Sequence, residues 1–341
     1  MTLDMNLRTL IERYSKGELS IDELQQHISL HSVEKVADSV ARLDLNREIR
    51  KEIPEVIFAK GKEYTDLLKI TQAAARKNDT VVVSKVQPRG VLIRLCKALV
   101  KAKLKVEVGK KSTTILVSNM PYRYHSNNGN TSTTMVPGGK IGILAAGTSD
   151  IGIAEEARLM AKAMGCTTLE SYDVGIAGIH RLFPALTEIV LQKVGAIVVV
   201  AGMEGALASV VTSMVNIPVI GVPTSVGYGF GSDGIAALAG MLQSCTPGLS
   251  VVNIDNGIGA GAFAALISNQ LARTASGVAA APVAKRKTGT ERERKRNNDS
   301  SKNVEATRQK TTTTTKTTKE KRQVVDSKNS PKIAAGMLKN N

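Results

Sequence analysis

Four continuous apolar runs, each leaving into a turn rich in Gly, Ser, Thr or Asp, constrain this chain more than any other feature. They are Lys140–Ala145, Ala196–Ala201, 218–222 and 249–254, and small residues at helical spacing follow each turn. A strand that alternates apolar and polar residues has one wet face, whereas a strand that is apolar throughout is covered on both faces, as in parallel sheets flanked by helices. Strand-helix alternation in turn implies right-handed crossovers. The expected fold class is therefore α/β, a doubly wound parallel sheet over residues 140–270. Ligands of such sheets bind beyond the carboxyl ends of the strands, so the residues leaving each strand are the ones to read for chemistry.

Residues 1–121 read as a separate small α/β domain. Leu3, Leu7, Leu10 and Ile11 lie on one helical face, ended by Gly17, and Ser20-Ile21-Asp22-Glu23 fits a capping box for a second helix continued by Leu24 and Ile28. A strand over 54–59, a helix over 61–76, strands over 80–86 and 104–108 and a helix over 90–103 follow. The charged cluster Asp44, Arg47, Arg50, Glu55 and Lys62 reads first as solvated element ends, with a phosphate or ribose contact as the alternative. Residues 122–139, rich in Ser, Thr, Asn and Gly and closed by Pro137-Gly138-Gly139, read as a linker.

The formal charge of +16 suggests nucleic acid until it is located: residues 281–341 hold 17 Lys and Arg against 6 Asp and Glu. That segment has almost no apolar periodicity and is expected to be a disordered basic tail. Its clusters at Lys285-Arg286-Lys287 and Arg294-Lys295-Arg296 suit a nuclear-import address or a loose nucleic-acid contact, set against a merely solubilising extension. The absence of Trp, with four Phe and six Tyr, argues against recognition of single strands by stacking. Cys96, Cys166 and Cys245 form no pair with metal or disulfide spacing. No apolar run approaches the ~20 residues of a membrane span. A cytoplasmic protein with reduced thiols, no membrane contact and no metal site is expected.

The first core turn, Gly147-Thr148-Ser149-Asp150, joins a glycine and two hydroxyls to a helix start, which suits a phosphate but also any helix cap. The next holds His180, a proton carrier near neutral pH, beside Arg181, a bidentate phosphate ligand. Gly202-Met203-Glu204-Gly205 sets a carboxylate at the ligand edge, and Thr224, Ser225, Gly227 and Tyr228 form a flexible loop. Cys245 sits between Ser244 and Thr246, a polar setting in which a thiolate nucleophile could be exposed, although most cysteines are buried filler. Asp255 and Asn256 close the set.

In this order the turns resemble the aminoimidazole ribonucleotide carboxylase/mutase superfamily, through Ser149-Asp150, His180-Arg181, Val222-Pro223 and the small-residue run from Ile258 to Leu266. Gly202-Met203-Glu204-Gly205-Ala206-Leu207, Pro223-Thr224-Ser225-Val226-Gly227-Tyr228-Gly229, Ser244-Cys245 and Asn253-Ile254-Asp255-Asn256-Gly257 are similar to a sister family, the pyridinium-3,5-biscarboxylic acid mononucleotide synthases, or LarB family. The segment from Leu43 to Lys62, with Arg47 and Arg50, carries the same likeness. It covers roughly residues 1–270 and leaves the basic tail outside. Ala208, where the family often has Pro, and Gly231-Ser232-Asp233-Gly234 depart from the pattern without removing a reactive group.

The resemblance implies a flavodoxin-like sheet and a reaction in which nicotinic acid adenine dinucleotide is carboxylated by CO2 or bicarbonate and its phosphoanhydride is hydrolysed. The products are the biscarboxylated mononucleotide, a precursor of the nickel-pincer nucleotide, and AMP. Cys245 would be the nucleophile and Glu204 the base, while Ser149, Asp150, His180 and Arg181 would line the nucleotide and carboxylate pocket, with Thr224, Ser225, Gly227 and Tyr228 as its other wall. No tightly bound cofactor is implied, Mg2+ is left open, and a homo-oligomer is expected from the small-residue helices at 235–241 and 259–267. The rivals are an aminoimidazole ribonucleotide carboxylase or mutase that relies on His180, and a nucleotide-binding protein without turnover.

Overall fold

The computed structural model describes residues 7–24, 33–36, 41–44, 47, 51–78, 80–119 and 138–276. Residues 122–137 of the expected linker, the basic tail, Arg50 and Ile28 lie outside the described residues.

The chain opens with helix α1 (Leu7–Ser15), and the capping box that follows is formed in both directions: Ser20 N donates to Glu23 Oε2 at 2.8 Å and Glu23 N donates to Ser20 Oγ at 3.1 Å. Strands β1 (Val33–Val36) and β2 (Ala41–Asp44) make an antiparallel ribbon. Then come β3 (Glu55–Phe58), α2 (Tyr64–Lys77), β4 (Thr80–Ser84), α3 (Arg89–Lys101), β5 (Lys105–Val108) and β6 (Ile115–Ser118). Their sheet has the order β3-β4-β6-β5, with β3 and β4 parallel and the other pairs antiparallel. Strand β6 was not among the expected elements.

The core is β7 (Lys140–Ala145), α4 (Ile151–Ala163), β8 (Thr167–Tyr172), α5 (Leu182–Leu191), β9 (Ala196–Ala201), α6 (Ala206–Met214), β10 (Val219–Pro223), α7 (Ile235–Leu242), β11 (Leu249–Val251) and α8 (Gly257–Ala275). All five strands are parallel in the order β8-β7-β9-β10-β11. Strands β7, β9 and β10 are almost wholly buried. Alternate side chains of β9 face opposite layers: Ala196, Val198 and Val200 pack with α4 and α8, while Ile197, Val199 and Ala201 pack with α5 and α6. The sheet is thus covered on both faces, as its continuous apolar strands require.

The small residues of α8 are used inside the chain. A Cβ on Gly257 would lie 2.2 Å from Ile153 O, and one on Gly261 2.4 Å from Ala157 O, so α8 lies against α4 at backbone contact. The small-residue face that suggested close packing between copies is, for α8, an internal face. Gly139, the last residue of the expected linker, is likewise buried, its amide donating to Asn269 Oδ1 at 2.8 Å.

Helix α4 also serves the N-terminal sheet. Val82 and Leu116 join its apolar layer, while Val81, Val83, Ile115 and Val117 face α2 and α3. Polar contacts rim this surface: Arg158 reaches Glu155 at 2.8 Å and Glu107 at 2.8 Å, Lys162 reaches Glu107 at 2.7 Å, and Lys110 N donates to Glu155 Oε2 at 3.0 Å. One helix therefore carries a sheet on each side.

Candidate active site

The winding reverses between β7 and β9, and the crevice beyond the carboxyl ends of these strands is where a doubly wound sheet takes ligands. The turn leaving β7 ends at Asp150, which is 4% exposed. Its carboxylate does not cap its own helix. Oδ2 accepts from Gly147 N at 2.9 Å and Oδ1 accepts from Thr224 Oγ1 at 2.7 Å, with the Gly202 amide also in hydrogen-bonding contact. One side chain so joins the ends of β7, β9 and β10. Burial pushes its pKa up, against the hydrogen bonds from Thr224 and Gly147, and the Asp255 charge adds to the rise. Thr148 and Ser149 are exposed beside it at the start of α4.

The turn leaving β9 is set in an uncommon conformation, with Met203 at φ +54° and Gly205 at φ +71°. Met203 N donates to Val226 O at 2.9 Å, and a Cβ on Gly202 would lie 2.2 Å from that carbonyl oxygen, so only glycine lets the two loops touch. Glu204 is left exposed, with its own carbonyl against Gly240 of α7. After β10, Thr224 is buried while Ser225, Gly227 and Tyr228 are exposed. Asp255, at φ +56°, closes this side: its amide donates to Pro223 O at 2.9 Å and its Oδ1 accepts from Ser225 N at 2.9 Å. Asn256 is engaged as a helix cap, its Oδ1 accepting from Gly259 N at 2.9 Å.

On the β8 side, Asp173 at φ +62° turns the chain into the short helix Ile176–Arg181. A Cβ on Gly175 would lie 2.7 Å from Ala146 O, so this segment lies against the first turn. His180 and Arg181 are exposed, and Arg181 pairs with Asp173. An ion pair this exposed is weak, which leaves the guanidinium exchangeable towards an anionic ligand.

Cys245 is placed differently from the other candidates. It is exposed, in the turn from α7 into the amino end of β11, where Gly248 O accepts from Val219 N at 3.1 Å at the first residue of β10. Its neighbour Ser244 accepts a hydrogen bond from Ser209 Oγ at 2.9 Å, on the flank of α6. Glu204 and Asp150 lie beyond the carboxyl ends. The fold thus gathers Asp150, Met203, Glu204, Thr224, Ser225 and Asp255 at one edge, with Gly147, Thr148, Ser149, His180 and Arg181 beside them, and sets Cys245 in the turn that follows α7, whose Gly240 lies against the Glu204 carbonyl.

Two residues outside the expected set also reach this edge from the N-terminal sheet. Lys85, the residue after β4, donates through Nζ to Asp255 O at 3.2 Å and pairs with Glu156 at 3.0 Å. Lys111 Nζ donates to Thr148 O at 3.4 Å. The strand expected over 80–86 holds Lys85 inside it, whereas the observed strand ends at Ser84 and leaves Lys85 in the turn; Lys111 stands in a turn with no signal of its own. Among the described residues no group of three or more His, Cys, Asp or Glu is arranged to hold a metal ion, and no helix is long and apolar enough to cross a membrane.

Comparison with known proteins agrees with this architecture. The AIR carboxylase family model matches residues 140–292, and the LarB/PurE-like N-terminal domain model matches residues 33–118. An uncharacterized protein of Methanocaldococcus jannaschii is 44% identical over 266 residues, which are 77% of this chain and 97% of that protein. The N5-carboxyaminoimidazole ribonucleotide mutase of the same organism is 32% identical over 130 residues, which are 38% of this chain and 76% of the mutase.

Proposed function

Because the chain belongs to the LarB family, related to the AIR carboxylase superfamily, and is thereby an enzyme of the carboxylase or mutase type, we propose that it carboxylates the pyridinium ring of nicotinic acid adenine dinucleotide and hydrolyses the phosphoanhydride. The observation that carries this reading is the exposed Glu204 on a left-handed turn at the switch point, beside the buried Asp150. A carboxylate held at a ligand crevice by strained backbone is better explained by proton transfer than by packing.

In the reaction, the Cys245 thiolate adds to C4 of the electrophilic ring, forming a C–S bond and leaving an enamine whose C5 attacks CO2. Glu204 takes the C5 proton, and expulsion of the thiolate breaks the C–S bond and restores the aromatic pyridinium. Water then splits the phosphoanhydride, releasing AMP. Thr148, Ser149 and Arg181 meet the phosphates, with Thr224, Ser225, Gly227 and Tyr228 forming the opposite wall. The enzyme acts in the cytoplasm as a homo-oligomer, in which the Cys245 turn of one copy completes the crevice of another. That arrangement is supported by the exposure of Cys245 in a turn at the amino end of β11 and by the apolar surface left at Met203, Tyr228, Phe230 and Ile235.

Mass spectrometry of the products formed from nicotinic acid adenine dinucleotide, bicarbonate and Mg2+ tests the reading. AMP and a mononucleotide heavier by one CO2, both lost with Cys245→Ala, are expected. Absence of a carboxylated product from the parent enzyme refutes it and turns attention to aminoimidazole ribonucleotide, the second reading. The exposed His180-Arg181 pair and the identity to the mutase favour that reading, in which Cys245→Ala leaves activity intact.

A further inference from the structure

The contact between Lys85 and the turn at Asp255 spans the two sheets and involves none of the reacting groups named above. Lys85 leaves β4 with φ +57° and its side chain is 27% exposed. Its ammonium meets two acceptors, Glu156 Oε1 at 3.0 Å and Asp255 O at 3.2 Å. Glu156 belongs to the second turn of α4, is 2% exposed, and accepts from Thr114 Oγ1 at 3.2 Å; among the described residues its Oε2 has no hydrogen-bond partner. The Glu156 carboxylate is therefore a fixed post in the layer between the two sheets, and Lys85 spans from that post to the backbone of the turn.

That turn is where strain and contact meet. Asp255 is left-handed, its amide holds Pro223 O, and its carboxylate holds Ser225 N. The next residue but one, Gly257, is pressed on α4, where a Cβ would lie 2.8 Å from the Glu156 Cβ. Once the Asp255 carbonyl is held, the amide at Ser225 and the loop it begins are held with it. A neutral residue at position 85 would leave the carbonyl to water and the turn free to relax towards ordinary backbone angles.

We infer that Lys85 is a positioning residue for the nucleotide crevice: anchored on Glu156, it fixes the Asp255 turn and through it the Ser225 loop, so that the N-terminal sheet is a working part of the site. The structural part of this inference stands on the contacts above, and its consequence for nicotinic acid adenine dinucleotide rests on the proposed function.

The alternative is that Lys85 serves only to neutralise a buried carboxylate. A neutral pair separates the two roles. In Lys85→Met/Glu156→Gln no buried charge is left unbalanced, so a balancing role alone predicts full recovery of stability and of ligand affinity. A positioning role predicts recovery of stability only. Hydrogen exchange followed by mass spectrometry should then show the amides of Ser225 and Asp255 exchanging roughly tenfold or more faster than in the parent, with β4 and α4 unchanged. Glu156→Gln alone, which keeps the Lys85 ammonium on a neutral post, should raise exchange at those amides by less than the double variant does. Calorimetry with nicotinic acid adenine dinucleotide should show affinity weakened about tenfold in the double variant and by less in Glu156→Gln.

Parent-like protection at Ser225 and Asp255 in a folded double variant overturns the inference. Should the double variant not fold, Lys85→Met at mildly acidic pH, where Glu156 can take up a proton, gives the same exchange readout with the same two outcomes. If the parent does not bind the dinucleotide, the proposed function fails while the exchange measurement still decides the role of Lys85.

Discussion

Asp150 Oδ1 accepts the Thr224 hydroxyl hydrogen bond at 2.7 Å, joining the first crevice turn to the fourth across 74 positions of sequence. The other oxygen of the same carboxylate holds Gly147 N, so both acceptor positions are in use in a group that is almost fully buried. Asp150→Asn turns one of those oxygens into a donor facing another donor. An expected loss of about 1–3 kcal/mol of stability, read by urea denaturation, should come with loss of nucleotide binding. A variant that binds nucleotide like the parent would show the tie to be dispensable.

Gly202→Ala tests the contact between the loops leaving β9 and β10. The added methyl would meet Val226 O at 2.2 Å and Thr224 Oγ1 at 2.8 Å, backbone and buried side chain that have little room to give. Stability should fall by about 1–3 kcal/mol, and turnover should fall more than the remaining folded fraction explains. Thermal unfolding and an activity assay on the same preparation separate the two.

The pH dependence of stability has a definite sign at Glu156. Burial raises its pKa in the folded protein despite Lys85 and Thr114, with Asp255 adding to the rise. Between its ordinary pKa and the raised one the unfolded chain has released the proton and the folded protein has not, so stability falls as pH rises through that window. Asp150 acts in the same direction. Unfolding free energy measured from pH 4 upward should decline less steeply in Glu156→Gln than in the parent; equal slopes would contradict the assignment.

Arg158→Met tests how the N-terminal sheet is fastened. Glu155 is 1% exposed and would keep only Tyr172 Oη at 2.6 Å and Lys110 N at 3.0 Å as partners, while Glu107 would keep Lys162. Leaving one member of a buried pair alone costs about 3–5 kcal/mol, and protease cleavage within 80–118 should become detectable under native conditions.

Mixing Cys245→Ala with Glu204→Gln tests the shared crevice. Each variant alone should be inactive, and subunit exchange between them should restore part of the activity by assembling crevices with one intact thiol and one intact carboxylate. No recovery in mixed oligomers, confirmed as mixed by native mass spectrometry, would assign both groups to one chain.

Much of the core was legible because its buried strands are continuous apolar runs: β7 and β9 coincide with the expected 140–145 and 196–201. Strand β8 gave no such signal. Its sequence, Thr-Thr-Leu-Glu-Ser-Tyr, lies at the sheet edge and is exposed or half-buried along its length, so nothing in its composition demands two covered faces. Strand β6 was missed for the opposite reason, since Ile115-Leu116-Val117-Ser118 is fully buried but too short to stand out. At the site, residues leaving strands could be read in advance because topology alone brings them together. The entry of Cys245 at the amino end of β11 was equally fixed, since it precedes the expected strand at 249–254 in a parallel sheet, whereas Lys85 was hidden because it reaches the crevice from another sheet.

Asp173, Met203, Asp233 and Asp255 are all left-handed without being glycine, and all lie in the segments that leave strands β8 to β11. Holding an ordinary side chain in that region costs about 1–2 kcal/mol, and least for aspartate, so Met203 carries the largest share. Laboratory evolution would therefore push this position in opposite directions depending on the trait selected. A selection for heat resistance should favour glycine at Met203, because it relieves strain, whereas a selection for turnover should retain the methionine, because the same relief unlocks the turn that presents Glu204. Heat resistance gained at this position would be bought with catalysis.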